Sequence, residues 1–322
     1  NTKAMVLYGK LCMKEKKSKH FEINSDFKEA FKYFRQAADN GDGEGLAFCG
    51  RFLEYGYGII KPNKRDAFDY YKASFDKRDM TGYAFYGSAL IEGVDGVVPI
   101  NEEEGIRLIK ISCDHQNPYG MANYGYFLSK GISRLKKNES QSLYYYKMAA
   151  EAGCPVAFSN LGVCYRERKG IEKDVKLAAK YFKMAIEEGY PRSALLLGHL
   201  LINGDKESSF KTDIKEGFKY IQYAAEHGNE TAMYMYARNM YYQKDVEMNA
   251  KLLKRYLLNG IKYSHTGCMI LYGKLMMNGD ILPKDRFQGV SYIKKAADLG
   301  DWKAMELYAK ALRTGDGVLK NE

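Results

Sequence analysis

The stretch AFSNLGVCYRERKGIEKDVKLAAKYFKMAIEEG, at residues 157–189, decides the fold of this chain. Its first part runs through apolar side chains to Gly162 and on to a turn that contains Gly170. Asp174 then precedes a second apolar run, which ends at Gly189. Apolar residues three, four and seven places apart fall on one face of a helix. The stretch therefore predicts two amphipathic helices joined by a short turn.

The first helical phrase recurs along nearly the whole sequence. Each copy has a small residue, three variable residues, an aromatic or aliphatic residue, and then Gly or Ala. The closing residues are 36 to 41 residues apart, which indicates a repeat array. The predicted repeats belong to a single solenoid over residues 1–322 and begin near residues 4, 45, 82, 120, 157, 193, 232, 268 and 304. The closing residues are Gly9, Gly50, Gly87, Gly125, Gly162, Gly198, Ala237, Gly273 and Ala309.

A second helical phrase, with bulky residues three and four places after a small one, lies between successive copies of the first. One such pair of helices cannot bury its apolar face alone, so stacked neighbours must supply the core. We expect an all-α solenoid of about eight helix–turn–helix repeats plus a final single helix. Aspartates that can cap the second helices are Asp66, Asp174 and Asp285, and glycines that can end them are Gly41, Gly153, Gly189, Gly228 and Gly300.

These phrases resemble the Sel-one-like repeat, a relative of the tetratricopeptide repeat. Repeat five carries the resemblance best, from Gly162 through Gly170 and Asp174 to Gly189. Repeat seven departs most, because Ala237 replaces the closing glycine and its turn, around residues 243–248, lacks glycine. The resemblance implies a right-handed α/α superhelix that works as an adaptor or scaffold for other proteins.

The first helices offer a candidate binding face. Counted from the closing residue as zero, positions −3, +1 and +4 share one side of the helix, which the resemblance places on the inner surface. Lys or Arg occupies five of the nine +1 positions, and repeats six to eight add apolar residues at −3 and +4. We expect this face to bind a segment with apolar and acidic residues. The alternative, that the apolar residues only pack between repeats and the cations only face solvent, explains the same pattern and stays open. The candidates are Tyr126, Leu195, His199, Ile202, Tyr234, Arg238, Tyr241, Ile270, Lys274, Met277 and Lys310.

Catalytic and metal-binding motifs are missing from the sequence. The five histidines lack a second histidine or a carboxylate at metal-ligand spacing, and the six cysteines form no CxxC pair. Asn123 and Asn160 share one repeat column, where a structural hydrogen bond is favoured over contact with a peptide. We therefore expect a protein that is not an enzyme and that needs no cofactor or metal.

The charge balance bears on the choice of partner. The net charge is +10, from 50 basic and 40 acidic residues that are mixed along the chain, which favours acidic partners without the clustering typical of nucleic-acid binding. The sequence contains no run of about 18 apolar residues, the length that a membrane-spanning helix needs. Its cysteines also lack the regular pairing of secreted bacterial members of the family. We expect a cytoplasmic interaction scaffold. Alternatives are a component of a large assembly, such as one on an acidic filament like a microtubule, or the regulatory arm of a larger protein.

Overall fold

The computed structural model describes residues 1–14, 26–57, 62–94, 98–132, 134–208, 210–242 and 247–318. The chain forms two compact units, Asn1–Asp213 and Ile214–Glu322, and we describe each by itself. The helices of unit 1 are α1 (Thr2–Met13), α2 (Phe27–Asp39), α3 (Gly43–Tyr55), α4 (Lys64–Asp76), α5 (Met80–Glu92), α6 (Glu102–Asp114), α7 (Pro118–Lys130), α8 (Glu139–Glu151), α9 (Pro155–Glu167), α10 (Val175–Glu187) and α11 (Arg192–Asn203). Those of unit 2 are α12 (Ile214–Glu226), α13 (Glu230–Tyr242), α14 (Ala250–Lys262), α15 (Thr266–Asn278), α16 (Arg286–Asp298) and α17 (Trp302–Thr314).

This element order confirms the all-α prediction. Each closing phrase lies in an odd-numbered helix and each second phrase in an even-numbered one, so the described residues hold eight first-and-second helix sets and a final single helix. Within the described residues, β pairing is limited to isolated bridges, such as that of Val94 with Val98. The division into two compact units leaves the single array over residues 1–322 a prediction.

Asparagine and aspartate side chains begin most of the helices. Asp174 accepts a hydrogen bond from the backbone N–H of Leu177, at 2.9 Å, as the sequence predicted, and Asp285 caps α16 in the same way. The prediction for Asp66 was wrong, because Asn63 caps α4 and Asp66 lies inside its first turn. Asparagine caps a helix as well as aspartate does, and Asn63 stands one residue before the first helical position of α4.

The sharp turns after the second helices use glycine as predicted. Gly153, with φ of 76°, and Gly189, with φ of 85°, adopt the left-handed backbone that other residues avoid. The same holds for Gly41, Gly228 and Gly300. In the turns between first and second helices, Gly170 and Gly315 also have positive φ. The predicted turn residues 58–60 and most of the repeat-seven turn, residues 243–246, lie outside the described residues.

The closing glycines let the two helices of a repeat approach closely. A Cβ on Gly162 would lie 2.5 Å from Cε1 of Phe182, so the phenylalanine ring fills the space that glycine leaves. In repeat eight both helices carry glycine at the contact, and a Cβ on Gly273 would lie 2.6 Å from the carbonyl oxygen of Gly289. Glycine therefore allows close packing against a ring in repeat five and against backbone in repeat eight.

The odd-numbered helices also contact one another, which places them on the same side of each unit. In unit 1, α1, α3, α5, α7 and α9 touch in sequence, and in unit 2 α13 touches α15. Unit 1 also returns on itself, since Lys14 Nζ lies 2.7 Å from a carboxylate oxygen of Glu188. Beside this pair, a Cβ on Gly189 would lie 2.7 Å from Cβ of Met13. The end of α1 therefore packs against the turn between α10 and α11.

All six cysteines are free thiols, and five of them are buried. Burial raises the pKa of Cys49 and of Cys268 to about 12, so both stay protonated and weakly nucleophilic. Across the part of the chain that the structure describes, every helix is too short or too polar to cross a bilayer.

Candidate protein-binding cavity

Unit 2 contains an open cavity of about 500 Å³ against its odd-numbered helices. Residues of α13, α15 and α17, the first helices of repeats seven, eight and nine, supply most of its walls. Its volume lies within the range of roughly 300–1,000 Å³ typical of ligand pockets. The lining residues are Tyr234, Arg238, Tyr242, His265, Thr266, Gly267, Ile270, Leu271, Lys274, Asp301, Lys303 and Leu307.

Four residues of the predicted binding face line this cavity together. Tyr234 and Arg238 come from α13, and Ile270 and Lys274 occupy the equivalent positions on α15. The side chains of Tyr234 and Ile270 are half-buried, whereas those of Arg238 and Lys274 are exposed. Positions −3 and +1 therefore meet across neighbouring repeats, with the apolar group beside the cation.

The sequence pattern missed several lining residues, of which Lys303 and Asp301 carry charge. Lys303 stands at position −6 of its repeat, one helical turn before the −3 position from which the face was counted. Tyr242, His265 and Leu307 also line the cavity, and Tyr242 is exposed. Extending the stripe from −3 to −6 would have found Lys303 from sequence alone.

The cavity has a net excess of positive charge. Arg238, Lys274 and Lys303 face one carboxylate, that of Asp301. A hydrogen bond from Thr266 holds the pKa of Asp301 below its usual range, and this carboxylate also caps α17. None of the three cations has an ion-pair partner among the described residues. The cavity is therefore suited to an anionic group.

His265 forms part of the cavity wall and begins α15. Its Nδ1 accepts a hydrogen bond from the backbone N–H of Cys268 at 3.3 Å, and its ring centroid lies 5.2 Å from that of Tyr234. Burial lowers the pKa of His265, which favours the neutral ring that this acceptor role requires. His265 is therefore both a helix cap and a wall residue of the cavity.

The other predicted residues of unit 2 lie outside the cavity. The hydroxyl of Tyr241 donates to Asp280 at 3.3 Å, and Lys310 is exposed on α17. Met277 packs inside its own repeat, since a Cβ on Gly289 would lie 2.7 Å from Cγ of Met277. Position +4 of repeat eight is therefore a core position, because it faces the partner helix.

The remaining predicted residues belong to unit 1. Tyr126 is half-buried, with the Lys130 ammonium 5.8 Å from its ring centroid. Leu195, His199 and Ile202 are half-buried on α11, and burial lowers the pKa of His199. These four residues remain a prediction as a binding surface, separate from the cavity of unit 2.

Two other features of the described residues bear on chemistry. Asn123 donates to the carbonyl oxygen of Ala84 at 3.1 Å and to the hydroxyl of Ser88 at 2.8 Å, so it joins α7 to α5. This confirms a structural hydrogen bond at Asn123. Across the described part of the chain, no three His, Cys, Asp or Glu side chains lie close enough together to hold a metal ion.

Comparison with known proteins places the chain in a family. A family model, the Sel1 repeat, matches most of the sequence, at residues 2–42, 43–79, 82–117, 118–154, 157–190, 191–229, 267–301 and 302–322. The chain belongs to the Sel1 repeat family. The Sel1 matches leave out residues 230–266, which correspond to repeat seven, the copy that departs most from the motif.

Two similar proteins illustrate the extent of the similarity. The crystal structure of a Sel1 repeat protein from Oxalobacter formigenes has a TM-score of 0.60 and 17% identity, covering 96% of this chain and 86% of that one. The Neisseria meningitidis serogroup B protein "Uncharacterized protein NMB1327" is 24% identical over 204 residues. That match covers 63% of this chain, but the chain spans only 41% of the curated relative. Sel1 repeat proteins generally act as non-catalytic scaffolds for protein interactions.

Proposed function

We propose that this protein is a non-catalytic adaptor that holds an acidic and apolar segment of a partner protein in the unit 2 cavity. The observation that supports this most is the pairing of apolar and cationic side chains on successive repeats. Tyr234 stands beside Arg238, Ile270 beside Lys274, and Leu307 near Lys303. A segment that alternates apolar and acidic residues would match both chemistries.

The contributions of the two kinds of contact differ. Apolar side chains buried against Tyr234, Ile270 and Leu307 supply most of the affinity, at roughly 25 cal/mol per Å² of apolar surface. The exposed cations Arg238 and Lys274 mainly steer the partner and select its charge, because screened surface pairs contribute little energy. We therefore expect association to slow as the salt concentration rises.

The test is charge reversal in the cavity. Partners are recovered from the native source by affinity purification and mass spectrometry, and the affinity of each is then measured for the full chain. The double variant Arg238→Glu and Lys274→Glu is expected to lower the affinity for a partner that binds in the cavity about 10-fold or more, because two attractive contacts become repulsive. Circular dichroism checks that the variant folds.

The matched control places the same charge change on α14, with Lys251→Glu and Lys254→Glu at exposed positions outside the cavity lining. This control is expected to leave the affinity within about 2-fold. An affinity that falls equally in both variants would indicate a general response to net charge, as for a protein that lies on an acidic filament. An unchanged affinity in the cavity variant would remove the proposal.

A further inference from the structure

Unit 1 holds a buried arginine that no carboxylate of the described residues neutralises. Arg51 lies on α3, directly after the closing Gly50, and only 8% of its surface is exposed. None of the described residues forms an ion pair or a hydrogen bond with its guanidinium group. A buried charge without a partner is costly, so this arrangement calls for an explanation.

Aromatic rings surround the guanidinium group instead. The ring centroids of Phe85, Tyr119, Tyr55 and Tyr190 lie 4.9, 5.4, 5.5 and 5.6 Å from its central carbon. These rings come from α5, α7, α3 and the turn between α10 and α11. Their faces attract the positive charge, but they do not supply the conventional acceptors that five N–H donors require.

Two carboxylates that act electrostatically on tyrosines of this cage are engaged elsewhere. Glu54 accepts a hydrogen bond from the hydroxyl of Tyr71 at 2.6 Å. Glu44 forms an ion pair with Lys10 at 2.5 Å. Neither of these carboxylates forms an ion pair with Arg51.

A second polar group beside Arg51 also lacks a partner. Tyr57 is 2% exposed, and its hydroxyl makes no hydrogen bond in the structure. This hydroxyl interacts electrostatically with Tyr190, Arg51 and Arg192, so it lies towards the same cage. Burial raises its pKa, which keeps the hydroxyl protonated and able to donate. Arg51 and the Tyr57 hydroxyl are therefore two buried polar groups that interact with each other electrostatically, and neither forms a hydrogen bond with a described residue.

Solvent reaches the edge of this cage. Arg192 is exposed, with its guanidinium carbon 4.7 Å from the ring centroid of Tyr55, and Tyr55 and Tyr190 are only half-buried. We propose that Arg51 and Tyr57 form a binding site for a carboxylate group of a partner peptide. A carboxylate accepts two parallel hydrogen bonds from a guanidinium group, and its single charge matches the single buried cation. The aromatic walls would cover an apolar side chain next to it.

The site lies in unit 1 and does not depend on the cavity of unit 2. Its test uses immobilised full-length chain and four pools of acetylated random hexapeptides. Two pools have free C-terminal carboxylates and two have C-terminal amides, and one pool of each kind omits Asp and Glu. Retained peptides are identified by mass spectrometry, and their dissociation constants are measured for each variant.

The chain is expected to retain peptides that carry a carboxylate and to reject the amidated pool without Asp and Glu. Retention of free C-termini without acidic side chains assigns a terminal carboxylate, and retention of amidated acidic peptides assigns a side chain. Arg51→Met should lower the affinity for the selected peptides about 10- to 100-fold, as expected for the loss of a charge-assisted hydrogen bond. Lys254→Met, at an exposed position of α14 outside the cavity lining, should leave their affinity unchanged.

Two further variants guard against a folding defect. Arg51→Lys keeps the charge but not the paired donors, and it should weaken binding less than Arg51→Met does. Tyr57→Phe removes a hydroxyl without a partner, so the free protein should stay at least as stable. The same change should lower the affinity for the peptide. Failure of all pools to bind, retention independent of carboxylates, or equal affinity for Arg51→Met would overturn the proposal and leave the arginine a structural element.

Discussion

Single residues decide how closely the helices of this protein approach one another. Gly273 and Gly289 face each other across the α15–α16 contact, and each would place a Cβ against the other's carbonyl oxygen. A backbone oxygen cannot rotate away as a side chain can. The requirement for glycine at these positions therefore comes from packing rather than from backbone angle.

We predict that Gly273→Ala destabilises unit 2. The new Cβ would lie 2.6 Å from the Gly289 oxygen, and such overpacking costs about 1–3 kcal/mol. Alanine gains about 1 kcal/mol of helix propensity over glycine, so a net loss shows that the clash dominates. Urea unfolding measures the change. Lys274→Ala, at the next and exposed position, serves as the control and should stay within about 0.5 kcal/mol. Equal stabilities would contradict the contact.

A second prediction at this scale concerns pH. Because burial lowers the folded-state pKa of His265, the unfolded chain takes up the proton at a higher pH than the folded chain. Its contribution to stability is therefore complete above about pH 6.5 and is lost as the pH falls through the folded-state pKa. His265→Asn keeps a good N-cap but cannot titrate. Urea unfolding at pH 7.5 and 5.5 should show a smaller loss for the variant than for the parent chain; equal losses would refute this.

At the scale of the element, the chain marks its helix starts with short polar side chains. Asn63 accepts hydrogen bonds from the backbone N–H groups of Arg65 and Asp66, at 3.1 and 3.2 Å. Sequence reasoning chose Asp66 because aspartate fills this role in repeats five and eight. The error arose because α4 begins two residues before Asp66, at Lys64.

The two residues therefore differ in their expected effects. Asn63→Ala should destabilise unit 1 by about 1 kcal/mol, because two backbone donors lose their acceptor. Asp66→Ala, at an exposed first-turn position, should cost at most about 0.5 kcal/mol through the helix dipole. Thermal or urea unfolding of both variants provides the comparison. A larger loss for Asp66→Ala would reverse the assignment of the cap.

At the scale of the whole molecule, the sequence predicted contacts between equivalent positions of neighbouring repeats but not contacts between distant, non-equivalent positions. Periodicity places Tyr234, Arg238, Ile270 and Lys274 on one face, because equivalent positions of stacked repeats become neighbours. The ring of Tyr190 against Arg51 has no such signal, since the two residues come from different repeat positions far apart in the chain. Contacts between distant repeats depend on the curvature of unit 1, which the repeat motif alone does not determine.

Those distant contacts lead to a prediction about cooperativity. In an open array each repeat contacts only its neighbours, so terminal helices open first. In unit 1 the end of α1 packs against the turn at Gly189, so its last-turn amides should exchange only when the unit opens as a whole. Hydrogen exchange with mass spectrometry should show α1 better protected than α17, which packs on α16. Protection of α1 no greater than that of α17 would contradict this.

The contact of Lys14 and Met13 with Glu188 and Gly189 also limits how this protein can evolve. Open arrays can lengthen or shorten by duplication or deletion of a whole copy, because each new copy meets an equivalent surface. In unit 1 the gain or loss of one copy between α1 and α10 would carry the two ends out of register. Residues 1–213 should therefore keep a constant number of copies among descendants, while changes of length fall elsewhere.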